Sequence, residues 1–130
     1  MQILFVEDDQ MNRRVVKDML QVVGAQMAEA ENAEVGLRMI EEGDFHVVLM
    51  DLRMPGMDGM TAINHIRSRT DTKAMLPIIV VTADTAIDLK ERCIAGGADE
   101  VLGKPVAMAA LLRAIGRMAA KGSAGDVLLQ

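Results

Sequence analysis

Four apolar runs in this 130-residue chain each lead to a side chain that carries charge or a hydroxyl. Ile3-Leu4-Phe5-Val6 runs into Glu7, Asp8 and Asp9, and Val47-Val48-Leu49-Met50 runs into Asp51. Ile78-Ile79-Val80-Val81 ends at Thr82, and Val101-Leu102 leads through Gly103 to Lys104. Gathered on one rim, these groups would do a particular chemistry. Two carboxylates about 4 Å apart repel by ~1 kcal/mol in bulk water and by ~4 kcal/mol at an effective dielectric of about 20, so the cluster calls for a cation. Carboxylate and carbonyl oxygens with room for water suit Mg²⁺ or Mn²⁺. Lys104 would add a second positive charge opposite the metal. An aspartate in that setting can attack phosphorus to give an acyl phosphate. The rest of the catalysis is positioning and charge neutralisation. Singly, each residue has an ordinary alternative: Asp9 as a helix cap, Asp51 in a turn, Thr82 at a strand end, Lys104 in a solvated loop. Together, those alternatives require like charges to gather without purpose.

The runs must position these groups. The first three are continuous, rich in β-branched residues and four residues long, which reads as strands buried on both faces. Ala25 to Ala30 is a weaker strand suited to a sheet edge. Between the strands, apolar residues recur at helical spacing: Met11, Val15, Met19 and Val22; Ala33, Leu37 and Ile40; Met60, Ile63 and Ile66; Leu89 and Cys93; then Met108, Leu111, Ile115 and Met118. Gly24, Gly43, Gly96 with Gly97, and Gly122 follow four of these segments, where a left-handed residue ends a helix at little cost. Asn32 and Asp58 suit N-caps, and Pro105 suits a first helical turn. Strand and helix alternate five times. That order predicts a doubly wound α/β fold, with a five-stranded parallel sheet flanked by five helices and joined by right-handed crossovers. Putting the three most apolar strands inside and the weak second and short fifth at the edges gives the order 2-1-3-4-5. In such sheets the site lies beyond the carboxyl ends of the strands where the order reverses, here between the first and third.

Composition narrows the function classes. The length fits one domain, read as residues 1–120 with a flexible tail over 121–130. Nineteen acids against fourteen bases give a net charge of −5, which argues against sequence-blind nucleic-acid binding. No apolar run approaches ~20 residues, and the N-terminus lacks a signal-peptide pattern, so neither a membrane span nor secretion is expected. A single cysteine, Cys93, excludes an internal disulfide framework and suits the cytoplasm. Twelve methionines beside two phenylalanines make the core aliphatic and soft.

Val6-Glu7-Asp8-Asp9, Met50-Asp51-Leu52-Arg53-Met54-Pro55-Gly56-Met57-Asp58-Gly59, Val81-Thr82-Ala83 and Gly103-Lys104-Pro105 together resemble the receiver domain of two-component response regulators. The similarity covers residues 2 to 120, and the Asp51 to Gly59 stretch is its most specific part. The resemblance implies a flavodoxin-like fold and a role for each residue. Asp51 would accept the phosphoryl group, from a histidine kinase or a histidine phosphotransfer protein. Asp8 would ligate Mg²⁺ directly, Glu7 would hold it through water, and the backbone carbonyl of Arg53 would complete the protein's ligands. Thr82 would hydrogen-bond the phosphoryl group and Lys104 would pair with it. Arg53, Ala83, Asp84 and Val101 occupy modulating positions, with Arg53 and Asp84 flanking the path of the hydrolytic water. A cis Lys104–Pro105 peptide is also implied. The family often has Tyr or Phe three residues before the lysine, where this chain has Val101. A small repacking of the fourth helix is therefore expected in place of a ring flip. Signalling would pass to a protein target through the face made by the fourth helix, fifth strand and fifth helix. The receiver would act alone or be a piece of a hybrid kinase, a reading that the Glu7 to Arg13 segment favours weakly.

Other residues invite other readings. His46 and His65 could relay a phosphoryl group, but neither lies in a helical-bundle context, which favours structural or surface roles. Cys93 reads as a small core residue. Met54, Met57 and Met60 could form a partner surface or pack the core. Gly96-Gly97 lacks the spacing of a phosphate loop. Three further functions compete: a phosphorylation-independent interaction module, against which the intact Asp8, Asp51, Thr82 and Lys104 set argues; an aspartyl phosphatase, which would carry D-x-D after its first strand; and a flavin-binding protein, which would need a phosphate loop and stacking aromatics.

Overall fold

Alternation of side chains across the pleat divides the apolar runs between two cores. In the computed structural model, which describes residues 1–129 and side chains through residue 120, Leu4, Val6, Val48, Met50, Ile78 and Val80 face one side of the sheet. Ile3, Phe5, Val47, Leu49, Ile79 and Val81 face the other. The strands are β1 (Gln2–Val6), β2 (Gln26–Ala30), β3 (Val47–Asp51), β4 (Ile78–Thr82) and β5 (Glu100–Gly103). The helices are α1 (Gln10–Val22), α2 (Ala33–Glu42), α3 (Gly59–Arg67), α4 (Leu89–Ala95) and α5 (Met108–Leu129). All pairings are parallel, in the order β2-β1-β3-β4-β5. Every residue of β3 and β4 is buried, whereas β2 and β5 are mostly half-exposed, as edge strands must be. Ala33, Ile40, Ala62, Ile63, Ile66, Leu89 and Cys93 close the first core from α2, α3 and α4. Val16, Leu20, Leu111, Ala114, Ile115 and Met118 close the second from α1 and α5.

The caps at Asp9, Asn32 and Asp58 form as expected, each carboxylate or amide oxygen accepting a backbone N–H of the following turn. Gly24 and Gly97 adopt positive φ, at 75° and 116°. Gly43 does not: it is extended at φ −123°, because the chain leaves α2 directly toward β3. Another element seals that helix end. Lys73, in a 3₁₀ turn over Thr72–Met75, donates through Nζ to the carbonyls of Ile40, Glu41 and Gly43 at 2.8, 2.9 and 3.0 Å. A cation on the last carbonyls answers the helix dipole. Pro105 departs from expectation in one respect, since α5 begins only at Met108; its peptide with Lys104 is cis, as the family resemblance implied. The flexible tail read over 121–130, and Gly122 within it, lies outside the residues whose side chains are described.

One glycine fixes where β3 meets α3. The Gly59 N–H donates to the Leu52 carbonyl at 2.9 Å, and a Cβ on Gly59 would fall 2.2 Å from the Asp51 carbonyl oxygen and 2.8 Å from Leu52 Cα. Backbone cannot yield as a side-chain tip can. Gly59→Ala should therefore cost about 3 kcal/mol, measured as a lowered urea midpoint. Gly24→Ala, in open space at positive φ, should cost only about 1–2 kcal/mol. Equal losses would show that the close approach at Gly59 does not constrain the fold.

Candidate functional site

Parallel strands of matched register deliver their last residues to one edge. Val6 pairs with Met50, Asp51 with Val81, and Thr82 with Gly103, so the groups after β1 and at the ends of β3, β4 and β5 share a rim. They line an open cleft of about 200 Å³, completed by Asp9, Asn12, Arg53 and Ala83. The burial pattern singles out this place. Among the described residues the buried polar side chains are Glu7, Asp51 and Thr82, and all three are here, 0, 4 and 2 % exposed. Burying carboxylates is costly unless they are paired.

Lys104 supplies the pairing. Its ammonium lies 2.7 Å from Glu7 Oε1 and 3.3 Å from Asp51 Oδ1. Burial works against that charge, but the two carboxylates outweigh it and hold the amine above its ordinary 10.5. Glu7 is raised as well, which for a carboxyl favours the neutral form. Burial chiefly, and then the adjoining Asp51, raise its carboxyl above 4.5 despite Lys104 and Asn12. Ligand oxygens of Glu7, Asp8 and Asp51 all lie within 4.8 Å of one another. Glu7 Oε2 is buried and has no hydrogen-bond partner among the described residues. An all-oxygen donor set with an unsatisfied buried carboxylate oxygen could hold a hard divalent cation.

The rim of the cleft is tied by polar contacts. Arg53 and Asp84 meet across its mouth, guanidinium to carboxylate, at 3.0 Å. Asp84 also accepts the Ala86 N–H, and that bond first, then Arg53, holds its carboxyl below 3.8. The Asp84 N–H donates to Thr82 Oγ1 at 3.1 Å. Asp9 stays out of the carboxylate cluster and caps α1 through the N–H groups of Met11 and Asn12. Met54 is buried, and Met57 and Met60 pack half-buried on the same core, so these methionines anchor the loop after Asp51. His46 is exposed and precedes β3, its Nδ1 accepting the Gln2 N–H at 2.9 Å. His65 is exposed on α3, far along the chain from any rim segment. Cys93 is buried, its thiol raised above 9.0 by that burial. Val101 is half-buried and packs on the α2–α3–α4 core.

Two residues outside the four motif segments also hold the site. Asn12 Nδ2 donates to Glu7 Oε1 at 2.9 Å, and Arg13 donates to the Glu7 backbone carbonyl at 2.6 Å. Their signal was position: both fall in the first turn of the helix that follows the acidic run.

Comparison with known proteins identifies the family. The sequence model of the response regulator receiver domain matches residues 3–116. The chain is 37% identical over 111 residues to the sensor histidine kinase RcsC of Salmonella typhi, covering 85% of this chain and 11% of that one. It is 34% identical over 119 residues to the sensor histidine kinase AruS of Pseudomonas aeruginosa, covering 91% and 12%. It thus spans about a tenth of the length of these curated relatives. Among solved structures, the chemotaxis protein CheY4 of Vibrio cholerae superposes with a TM-score of 0.82 at 27% identity, covering 90% of this chain and 97% of that one. The receiver domain of a Pseudomonas aeruginosa sensor histidine kinase, with a magnesium ion coordinated in its active-site cleft, superposes with a TM-score of 0.82 at 32% identity, covering 90% and 95%. With its fold, its sheet order and nearly all of its described length accounted for, the chain belongs to the response regulator receiver domain family.

Proposed function

We propose that this receiver takes a phosphoryl group onto Asp51 from a histidine kinase or histidine phosphotransfer protein, in a Mg²⁺-dependent reaction in the cytoplasm. The observation that carries the proposal is the half-buried Lys104 ammonium lying between Asp51 and Glu7 beside a three-carboxylate cluster. A carboxylate oxygen of Asp51 forms the new bond to phosphorus as the phosphorus–nitrogen bond of phosphohistidine breaks. The imidazole leaves with that electron pair. Asp8 and Asp51, Glu7 through water, and the backbone carbonyl of Arg53 would hold Mg²⁺, with Mn²⁺ as a substitute. The bound cation supplies charge neutralisation for the phosphoryl oxygens. Lys104 neutralises the same oxygens from the β5 side. The Thr82 hydroxyl would donate to one of them.

The product state is read at α4. Thr82 is joined through Asp84 to the loop that enters this helix. Val101 packs on the core that α4 covers, so reorientation of Thr82 acts through small repacking there, without an aromatic ring. The α4–β5–α5 face then meets a downstream protein, with neither nucleic acid nor membrane as the partner. Similarity to segments of sensor histidine kinases supports a place in a phosphorelay, as a hybrid-kinase receiver or as a separate regulator.

Three outcomes test this reading. After incubation with a small phosphodonor and Mg²⁺, intact mass should show one added phosphoryl group on the parent and none on Asp51→Asn. An unmodified parent, or a modified Asp51→Asn, removes Asp51 as the acceptor.

Glu7 gives a pH-dependent signature. A carboxyl raised above 4.5 in the folded state favours folding below that pH, and the contribution is lost as pH rises through the raised value. Without divalent cations, the parent should therefore lose thermal stability relative to Glu7→Gln as pH rises from 4.5 through the raised value. Added Mg²⁺ should stabilise the parent and leave Glu7→Gln nearly unmoved. Parallel pH curves would show that the buried carboxyl is not the source.

The Arg53–Asp84 pair, 80 and 22 % exposed, should contribute only ~0–1 kcal/mol to stability. Its effect is kinetic, through access of an in-line water to phosphorus. Dephosphorylation rates of Arg53→Ala, Asp84→Ala and the double variant should depart from multiplicative behaviour by roughly threefold. Simple multiplication of the two single effects would remove the gate.

A further inference from the structure

The buried Glu7 carboxylate is held asymmetrically. Oε1 accepts from the Lys104 ammonium at 2.7 Å and from the Asn12 amide at 2.9 Å, while Oε2 has no partner among the described residues. Two nitrogen donors on one oxygen fix the plane of the carboxylate and leave the other oxygen free. We infer that Asn12 is a positioning residue for the cation, its amide orienting Glu7 so that Oε2 is presented to the metal or its water. The inference rests on the Mg²⁺-dependent reading above.

The two donors are not equivalent. Lys104 also lies 3.3 Å from Asp51 Oδ1, so phosphoryl oxygens on Asp51 would compete with Glu7 for its charge. The Asn12 amide makes no such second contact with Asp51 and adds no charge of its own. It therefore keeps Glu7 in place while Lys104 turns to the phosphoryl group. Its own placement is firm. The Asn12 N–H is capped by Asp9 at 3.2 Å, and the adjacent Arg13 binds both the Glu7 carbonyl and Glu29 on β2. Both ends of Glu7, side chain and backbone, are thus pinned to the first turn of α1. Asparagine is a mediocre helix former, and at this partly covered position its amide is spent on the carboxylate.

Asn12→Leu removes the donor while keeping the branched side-chain shape, and Asn12→Ala removes it with a residue that favours the helix. Each full-length variant would be titrated with MgCl₂ alone in a calorimeter, and then phosphorylated by a small phosphodonor over a range of Mg²⁺ concentrations. Thermal midpoints would verify that both fold. The expected result is a Mg²⁺ Kd raised about tenfold in both, equivalent to ~1.4 kcal/mol. The half-saturating Mg²⁺ for phosphorylation should rise alike, with the rate at saturating Mg²⁺ within about twofold of the parent. Parent-like Mg²⁺ affinity in either folded variant overturns the inference. So does a lowered saturating rate at unchanged half-saturation. The direct Mg²⁺ titration stands apart from phosphorylation: a parent that binds Mg²⁺ but takes no phosphoryl group would sink the proposed function and leave the role of Asn12 to be read from Kd.

Discussion

The ammonium of Lys104 is the interaction on which the site depends. Glu7 and Asp51 are almost fully removed from water, and an unpaired carboxylate in such a place costs several kcal/mol. One cation within 3.3 Å of both offsets that cost. It comes from the far end of the chain, 97 residues after Glu7. Its arrival requires β5 to sit beside β4 with Gly103 level with Thr82. The outermost strand, short and half-exposed, is thus as necessary to the cleft as the buried central strands.

Rigid and yielding parts are separated by position along each strand. The bodies of β3 and β4 are buried, and Gly59 locks the exit from β3 by backbone contact. Beyond the end of β4 the chain is open. Thr85, Ala86 and Ile87 are exposed, and α4 has only seven residues with no side-chain hydrogen bond at its N-cap. Such a segment has few buried contacts to lose, which marks the low-stability end of a fold. A charge change at Asp51 meets a fixed floor and a yielding rim.

Much of this was legible because strands and site residues are contiguous in sequence. A β-branched run that stops at an acid specifies both the strand and the point where its side chain reaches the rim, as with Val6 and Glu7. Alternation alone then distributes Leu4 and Phe5 to opposite cores. Caps were legible for the same local reason. Gly43 departs from the local reading because a partner distant in sequence decides its conformation, Lys73 sealing α2 from a later loop, and α5 begins at Met108, three residues after Pro105. Asn12 escaped because its role appears only once Glu7 is known to be buried with one oxygen unsatisfied.

Charge balance shows why those supports matter to a switch. Three carboxylates, one ammonium and a divalent cation would make the cleft neutral, a state with little tendency to rearrange. In the proposed reaction the single charge of Asp51 is replaced by a phosphoryl group carrying nearly two. About one negative charge is then left unbalanced in a partly buried cleft. Glu7 cannot retreat, being pinned through Asn12, Arg13 and its own burial. Lys104 is already engaged. The Thr82 hydroxyl, on the strand whose loop leads into α4, is a hydrogen-bond donor still available at the rim. Fixed anions on the β1 side would therefore direct the response to the β4 side, and the asymmetry of the site would give the proposed switch its direction.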